Sequence, residues 1–257
     1  MSAPFAICPK CAHRRSPTES HIHPGVCPAC GIACQKFVDR QAAALQDAPP
    51  LAIEFVPAPL ERLKNRLLEL PPQVDGMALG GRAGAWCAFA LWTVYFALHG
   101  IDWEVIIGSF LHSVILPFHE FGHILFMPLG SFMTILGGSL FQVLMPLGIM
   151  AAFVFKQRNT FGASAALWWA GQSLVDLSPY IADAVQRILP LVGGAREESH
   201  DWGNLLTMTG MLGHAQGIAR LCFGMGVLVM LAALAWGALL LRLQYASWQL
   251  APGDAGD

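Results

Sequence analysis

Charge is scarce in this chain of 257 residues: only 12% are Asp, Glu, Lys or Arg, whereas 55% are hydrophobic. A soluble domain carries about twice that share of charge, and the mean hydropathy of +0.51 points the same way, to a polytopic membrane protein. The net charge of −2 gives no reason to expect nucleic acid as a partner. The first 80 residues lack the continuous apolar core of a cleavable signal peptide, so none is expected. No internal repeat is visible, which argues against a transporter built from duplicated halves. The charge that exists is unevenly spread, with 9 of the 15 Lys and Arg before residue 83, and a basic leader favours a cytoplasmic N-terminus.

Two features carry chemistry. The first is Cys8-Pro9-Lys10-Cys11 followed by Cys27-Pro28-Ala29-Cys30. Two C-x-x-C pairs at this spacing match a four-cysteine zinc ribbon, whose closed tetrathiolate site is structural. On a reducing cytoplasmic side, zinc is a better account of these thiols than disulfides. Cys34, His13, His21 and His23 are read as bystanders, and the ribbon offers a surface for a protein partner or a regulatory ligand.

The second feature is His119-Glu120-Phe121-Gly122-His123, an H-E-x-x-H pattern inside an apolar segment. Residues i and i+4 share one helix face, so both imidazoles can reach one metal ion while Glu120 lies beside it. By chance such a pattern would occur in about one chain in a hundred of this size and composition. Burying three ionisable groups in hydrocarbon is costly, which makes the placement itself a sign of function. With a third protein ligand, zinc held there leaves a position for water, whose pKa falls to about 7, and a glutamate can take its proton.

The chain divides into a ribbon (1–40), a Pro/Ala-rich linker with an amphipathic surface helix (41–82), a transmembrane domain (83–245) and a disordered tail (246–257). In the second part, Leu60, Leu63, Leu67 and Leu70 form one helical stripe, suited either to the membrane surface or to the ribbon. Hydropathy predicts about five spans: 83–100, 105–128, 132–155, 161–192 and 218–241. The stretch 203–217 is too polar to cross alone. Simple alternation then puts Lys156 and Arg158 on the side opposite the N-terminus, against the positive-inside rule, unless the chain re-enters near Leu136-Gly137-Gly138-Ser139. Pro117 and Pro179 are expected to disturb their helices, and His112 reads as a packed or solvated histidine.

The third ligand is sought in the fourth span, where Asp176 and Asp183 flank Pro179, and in His200-Asp201-Trp202 beyond it. Together these elements resemble the site-2 protease class of intramembrane zinc metallopeptidases, over about residues 105–190. The resemblance implies an all-α membrane enzyme that cuts membrane-protein substrates within or beside their transmembrane segments. It implies His119 and His123 as zinc ligands, Glu120 as general base, Asp183 as third ligand and Asp176 in the place of an asparagine that holds the substrate strand. Gly137 and Gly138 would form the edge that receives that strand. Asp183 is followed by Ala184 where the class has glycine and lies four residues after Pro179 instead of five, so Asp176 and His200 stay open as alternatives. The ribbon is not part of the common core and suggests a divergent bacterial branch in the inner membrane. Two other readings remain: a membrane metal transporter, and a non-catalytic ribbon-bearing scaffold.

Overall fold

The computed structural model describes residues 5–46, 58–190 and 199–250. It divides into two units, Met1–Val56 and Pro57–Asp257. Most of the linker, including Pro49, Pro50 and Pro57, the last residues of the predicted fourth span and the end of the tail lie outside the described residues.

In the first unit the two cysteine pairs form matching knuckles. Cys8 N–H donates to His13 O and Ala12 N–H to Cys8 O; in the second knuckle Cys27 N–H donates to Ile32 O and Gly31 N–H to Cys27 O. Ala12 and Gly31 hold the same place in each turn, both with positive φ (56° and 71°), and Ala12 takes this conformation despite its Cβ. Single antiparallel bridges, Ile7 to Arg14 and Val26 to Ala33, close the knuckles. Helix α1 (Cys34–Gln46) follows and continues into the stretch read as linker.

The second unit is all helical among its described residues: α2 (Pro59–Leu67), α3 (Gly76–His99), α4 (Trp103–Ile107), α5 (Phe110–Phe126), α6 (Ser131–Ala152), α7 (Thr160–Ala182), α8 (Asp201–Met208) and α9 (Ala215–Leu250). A single π turn, Phe153–Gln157, ends α6. Three helical stretches are long and apolar enough to cross a membrane, Phe110–Leu129, Ser131–Gln157 and Leu212–Leu250. The other two predicted spans coincide with α3 and α7, which are long but less apolar. For α7 the reason is its position: it is enclosed by protein, and Gln172, Ser173, Asp176 and Ser178 are all buried in it. A helix walled in by other helices need not match lipid.

Helix α7 is held to α9 by small residues. A Cβ on Gly171 would stand 2.8 Å from Gly226 O, and one on Gly226 2.7 Å from Gly171 O, so the two backbones touch only because neither residue has a side chain. The pairs Ser164 with Gly237, Cys222 with Leu174 and Gln216 with Ala182 show that the helices run antiparallel. Around them Phe96, Ile106, Trp168, Val175 and Met230 form the largest core cluster. Phe89 stacks on Trp168, whose Nε1–H donates to Thr93 Oγ1.

Several sequence expectations change. The predicted second span breaks at Gly108–Ser109, because Ser109 Oγ caps α5 by accepting His112 N–H. Gly137 and Gly138 lie in regular helix, so no re-entrant segment or strand edge forms there; their role is close packing, described below. The chain turns instead at Gly130, whose φ of 94° suits glycine. Pro117 and Pro179 are accommodated within α5 and α7. Arg158 pairs with Glu69 at 3.2 Å, and Thr160 Oγ1 donates to Glu69 O at 2.7 Å. Residues 158–160 therefore lie beside the segment leading into α3, not at the opposite end. Leu60 and Leu63 of α2 are exposed, while Leu67 O accepts Trp236 Nε1–H.

Gly226→Ala is expected to destabilise the helical unit by about 1 to 3 kcal/mol through overpacking. The check is a lower thermal midpoint of the helical unit in detergent.

Candidate metal centre

Helix α5 presents His119 and His123 on one face, and helix α6 orients them. His119 Nδ1 lies 2.7 Å from Gln142 Oε1, and Gln142 Nε2 donates to Ser173 O at 3.0 Å. That second bond fixes the amide so that its oxygen faces the imidazole, and His119 Nδ1 must donate to it. His123 Nδ1 lies 2.8 Å from Thr134 O, an acceptor only, and therefore also donates. Both rings are thus set with Nε2 turned toward a common point, the arrangement by which partners of the other nitrogen fix a metal-binding tautomer.

The common point is shared with Asp201. Its Oδ2 stands 3.2 Å from His119 Nε2 and 3.3 Å from His123 Nε2. Donors about 2.05 Å from a tetrahedral zinc stand about 3.3 Å apart, which is the spacing found. Three electron-pair donors this close need a cation in their midst, a proton or a metal. Burial works against the charge of Asp201, but with no metal between them the two imidazoles, when protonated on Nε2, outweigh it and hold the carboxyl down at about 2.

The space for the rings exists because α5 and α6 nearly touch. A Cβ on Gly137 would lie 2.6 Å from Gly122 O, and one on Gly122 would collide with Gly137 O. A Cβ on Gly138 would come within 2.6 Å of His123 Nε2 and 2.7 Å of His119 Nε2. The imidazole tips occupy the volume that a side chain at 138 would fill.

Asp201 opens α8, and its position is built from α7. Its backbone N–H donates to Tyr180 Oη at 2.8 Å. His200, fully buried, caps α8 by accepting Gly203 N–H on Nδ1 and turns Nε2 to Asp183 Oδ2 at 3.3 Å. Burial keeps His200 below the ordinary histidine range, and a neutral ring with Nε2–H donating to Asp183 fits both contacts. Asp183 also accepts the N–H groups of Ile188 and Leu189. Its carboxylate is therefore committed to closing the end of α7, and the structure brings Asp201 to the histidines where the sequence favours Asp183. Of the two alternatives, His200 serves as cap, and Asp176 lies 3.1 Å from His112 Nδ1 by both oxygens. His112 is a partner of a buried carboxylate, not simply packed or solvated.

These groups line one cleft of about 380 Å³, which His119, His123, Glu120, Asp201, His112 and Tyr180 share. Glu120 is exposed to it and makes no hydrogen bond to any described residue. Sequence reasoning missed Gln142, whose signal was a carboxamide in an otherwise apolar span. It also passed over Tyr180, and it offered His200-Asp201-Trp202 as a second source of ligands while singling out His200 in that stretch.

In the separate N-terminal unit, Cys8 Sγ lies 3.8 Å from Cys30 Sγ and Cys11 Sγ 3.6 Å from Cys27 Sγ. Thiolates about 2.3 Å from a tetrahedral ion stand about 3.8 Å apart. All four thiols are free, and Cys34 and His13 stand outside the group, His13 paired with Glu19. Burial opposes ionisation of Cys8, but backbone N–H groups of Cys11 and Lys10 outweigh it and bring the thiol to about 6.

No protein family, curated protein or solved structure matches this chain.

Asp201→Ala is expected to remove metal from the helical unit while the ribbon keeps its own. Asp183→Asn should leave both. Elemental analysis of purified variants after dialysis distinguishes the two carboxylates.

Proposed function

We propose that this chain is a membrane-embedded zinc peptidase resembling the site-2 protease class, acting on membrane-protein substrates. In this reading His119, His123 and Asp201 hold the catalytic ion, and Cys8, Cys11, Cys27 and Cys30 hold a structural one. The bundle lies in an inner membrane with a cytoplasmic N-terminus, and because the start of α3 meets the end of α9, Arg82 against Gln244, the number of crossings is even and not the five expected from hydropathy. The observation that carries the proposal is the convergence of His119 Nε2, His123 Nε2 and Asp201 Oδ2 at tetrahedral spacing, beside Glu120 in an open cleft.

Zinc bound there would supply a Lewis acid that polarises a peptide carbonyl and acidifies water. The chain's own residues supply the rest. Gln142 and Thr134 O keep both Nδ1–H bonds occupied, so each Nε2 stays an electron-pair donor. Glu120 projects into the cleft with both carboxylate oxygens free of hydrogen-bond donors among the described residues. It is placed to take a proton from water and return it to the leaving amine. Tyr180 accepts Asp201 N–H, which leaves its own hydroxyl proton to donate into the cleft. Apolar lining residues such as Ile115, Leu116 and Leu177 suit a substrate segment drawn from a bilayer.

The transporter and scaffold readings differ from this one in what Glu120 does. Glu120→Gln is expected to retain about two zinc per chain and to lose cleavage of a co-expressed single-span membrane protein by about 10²-fold or more, as for loss of a general base. Undiminished cleavage by the variant, or metal uptake into vesicles without any proteolysis, would overturn the peptidase assignment.

A further inference from the structure

A second cavity lies away from the metal centre, where α3 and α7 begin and α9 ends. It measures about 550 Å³, and Arg82, Arg158, Asn159, Thr160, Gln244 and one carboxylate, Glu69, are among its lining residues. Arg82 Nη1 donates to Gln244 Oε1 at 2.7 Å, and Gln244 is 1% exposed. That partner is neutral, and no carboxylate among the described residues lies within 4.0 Å of Arg82. Arg158, whose side chain is 64% exposed, reaches Glu69, but Glu69 also receives Arg66 at 3.3 Å. One carboxylate thus answers two guanidinium groups, and Arg82 adds a third positive charge with none.

The surroundings extend this imbalance. Lys64, Lys156 and Arg242 lie on the elements that meet here, against Glu61 and Asp75. Apolar groups are exposed beside the charge: Leu60 and Leu63 on α2, Phe155 at the end of α6, and Tyr245 and Trp248 on α9. The end of an apolar helix, ringed by aromatic side chains and arginines, is where a bilayer's headgroup layer sits. An occupant that combines a negative head with an apolar tail satisfies both parts of the site. Basic pockets between membrane helices bind anionic headgroups on the same grounds.

We propose that this pocket binds the phosphate headgroup of an anionic phospholipid, with Arg82 and Arg158 as its charged contacts. The lipid fastens α2 and the starts of α3 and α7 to one leaflet. This assignment rests on the chain being a membrane protein and is independent of the peptidase reading.

The test is native mass spectrometry of the full chain in detergent, titrated with phosphatidylglycerol or phosphatidylcholine. Retention of phosphatidylglycerol is expected to exceed that of phosphatidylcholine. It should fall about fivefold for each arginine lost, in R158Q and again in R82Q/R158Q, in line with the contribution of one basic residue at an anionic surface. R82K/R158K should keep most of the preference, and because Arg158 is exposed, R158Q carries the test without straining the fold. Equal retention of the two lipids, unchanged retention in R158Q and R82Q/R158Q, or displacement by millimolar inorganic phosphate would each overturn the assignment. Loss of the preference with zinc content intact supports it and leaves the metal centre untouched.

Discussion

The candidate metal centre depends on the close approach of α5 and α6. Gly122 and Gly137 let the two backbones come together, and Gly138 leaves room for the tips of His119 and His123. With any side chain at these positions the helices would separate or the rings would turn. The acceptors that fix the imidazoles, Gln142 and Thr134 O, both belong to α6. The approach of α6 therefore supplies both the space and the orientation. A dense, small-residue interface of this kind is how membrane helices associate where lipid offers no hydrophobic driving force.

Three buried polar groups of the helical unit are matched piece by piece, whereas the Gln172 amide and Ser173 Oγ are buried with no hydrogen-bond partner among the described residues. Asp176 meets His112, Asp183 meets His200 and two backbone N–H groups, and Gln142 bridges His119 to Ser173 O. Each group would be costly alone in an apolar interior, and each has a partner on another part of the chain. These pairs fix the register of α5, α6 and α7 against one another in a way that nonspecific apolar contact could not. They also separate the carboxylates by task. Among the described carboxylates, only Asp201 is turned toward two imidazoles at once.

Much of the centre was legible in the sequence. The i, i+4 spacing put His119 and His123 on one helix face and Glu120 beside them, and the paired C-x-x-C units gave the four-thiol group. The third donor was not, because Asp183 and Asp201 are equally polar intrusions until the end of α7 is known. Asp183 closes that end by accepting Ile188 and Leu189 N–H, so both its oxygens are engaged away from His119 and His123, a fact that no spacing rule contains. Gly137-Gly138 misled in a similar way. Paired glycines suggest irregular backbone, whereas here they stay helical and serve contact. Hydropathy scores lipid compatibility and so could not tell that α7 is walled in by protein.

His119 and Asp201 are 82 residues apart in sequence. A cation shared between them would be a cross-link as well as a reagent, fastening the start of α8 to the middle of α5 and closing a long stretch of chain. Constraint of this kind acts on the unfolded ensemble and grows with the logarithm of the enclosed length, so a long enclosure gives a large effect for one contact. The same geometry that would poise a reactive centre would therefore also act as a clasp on the fold. Metal loading and the integrity of the helical unit are then two readings of one equilibrium.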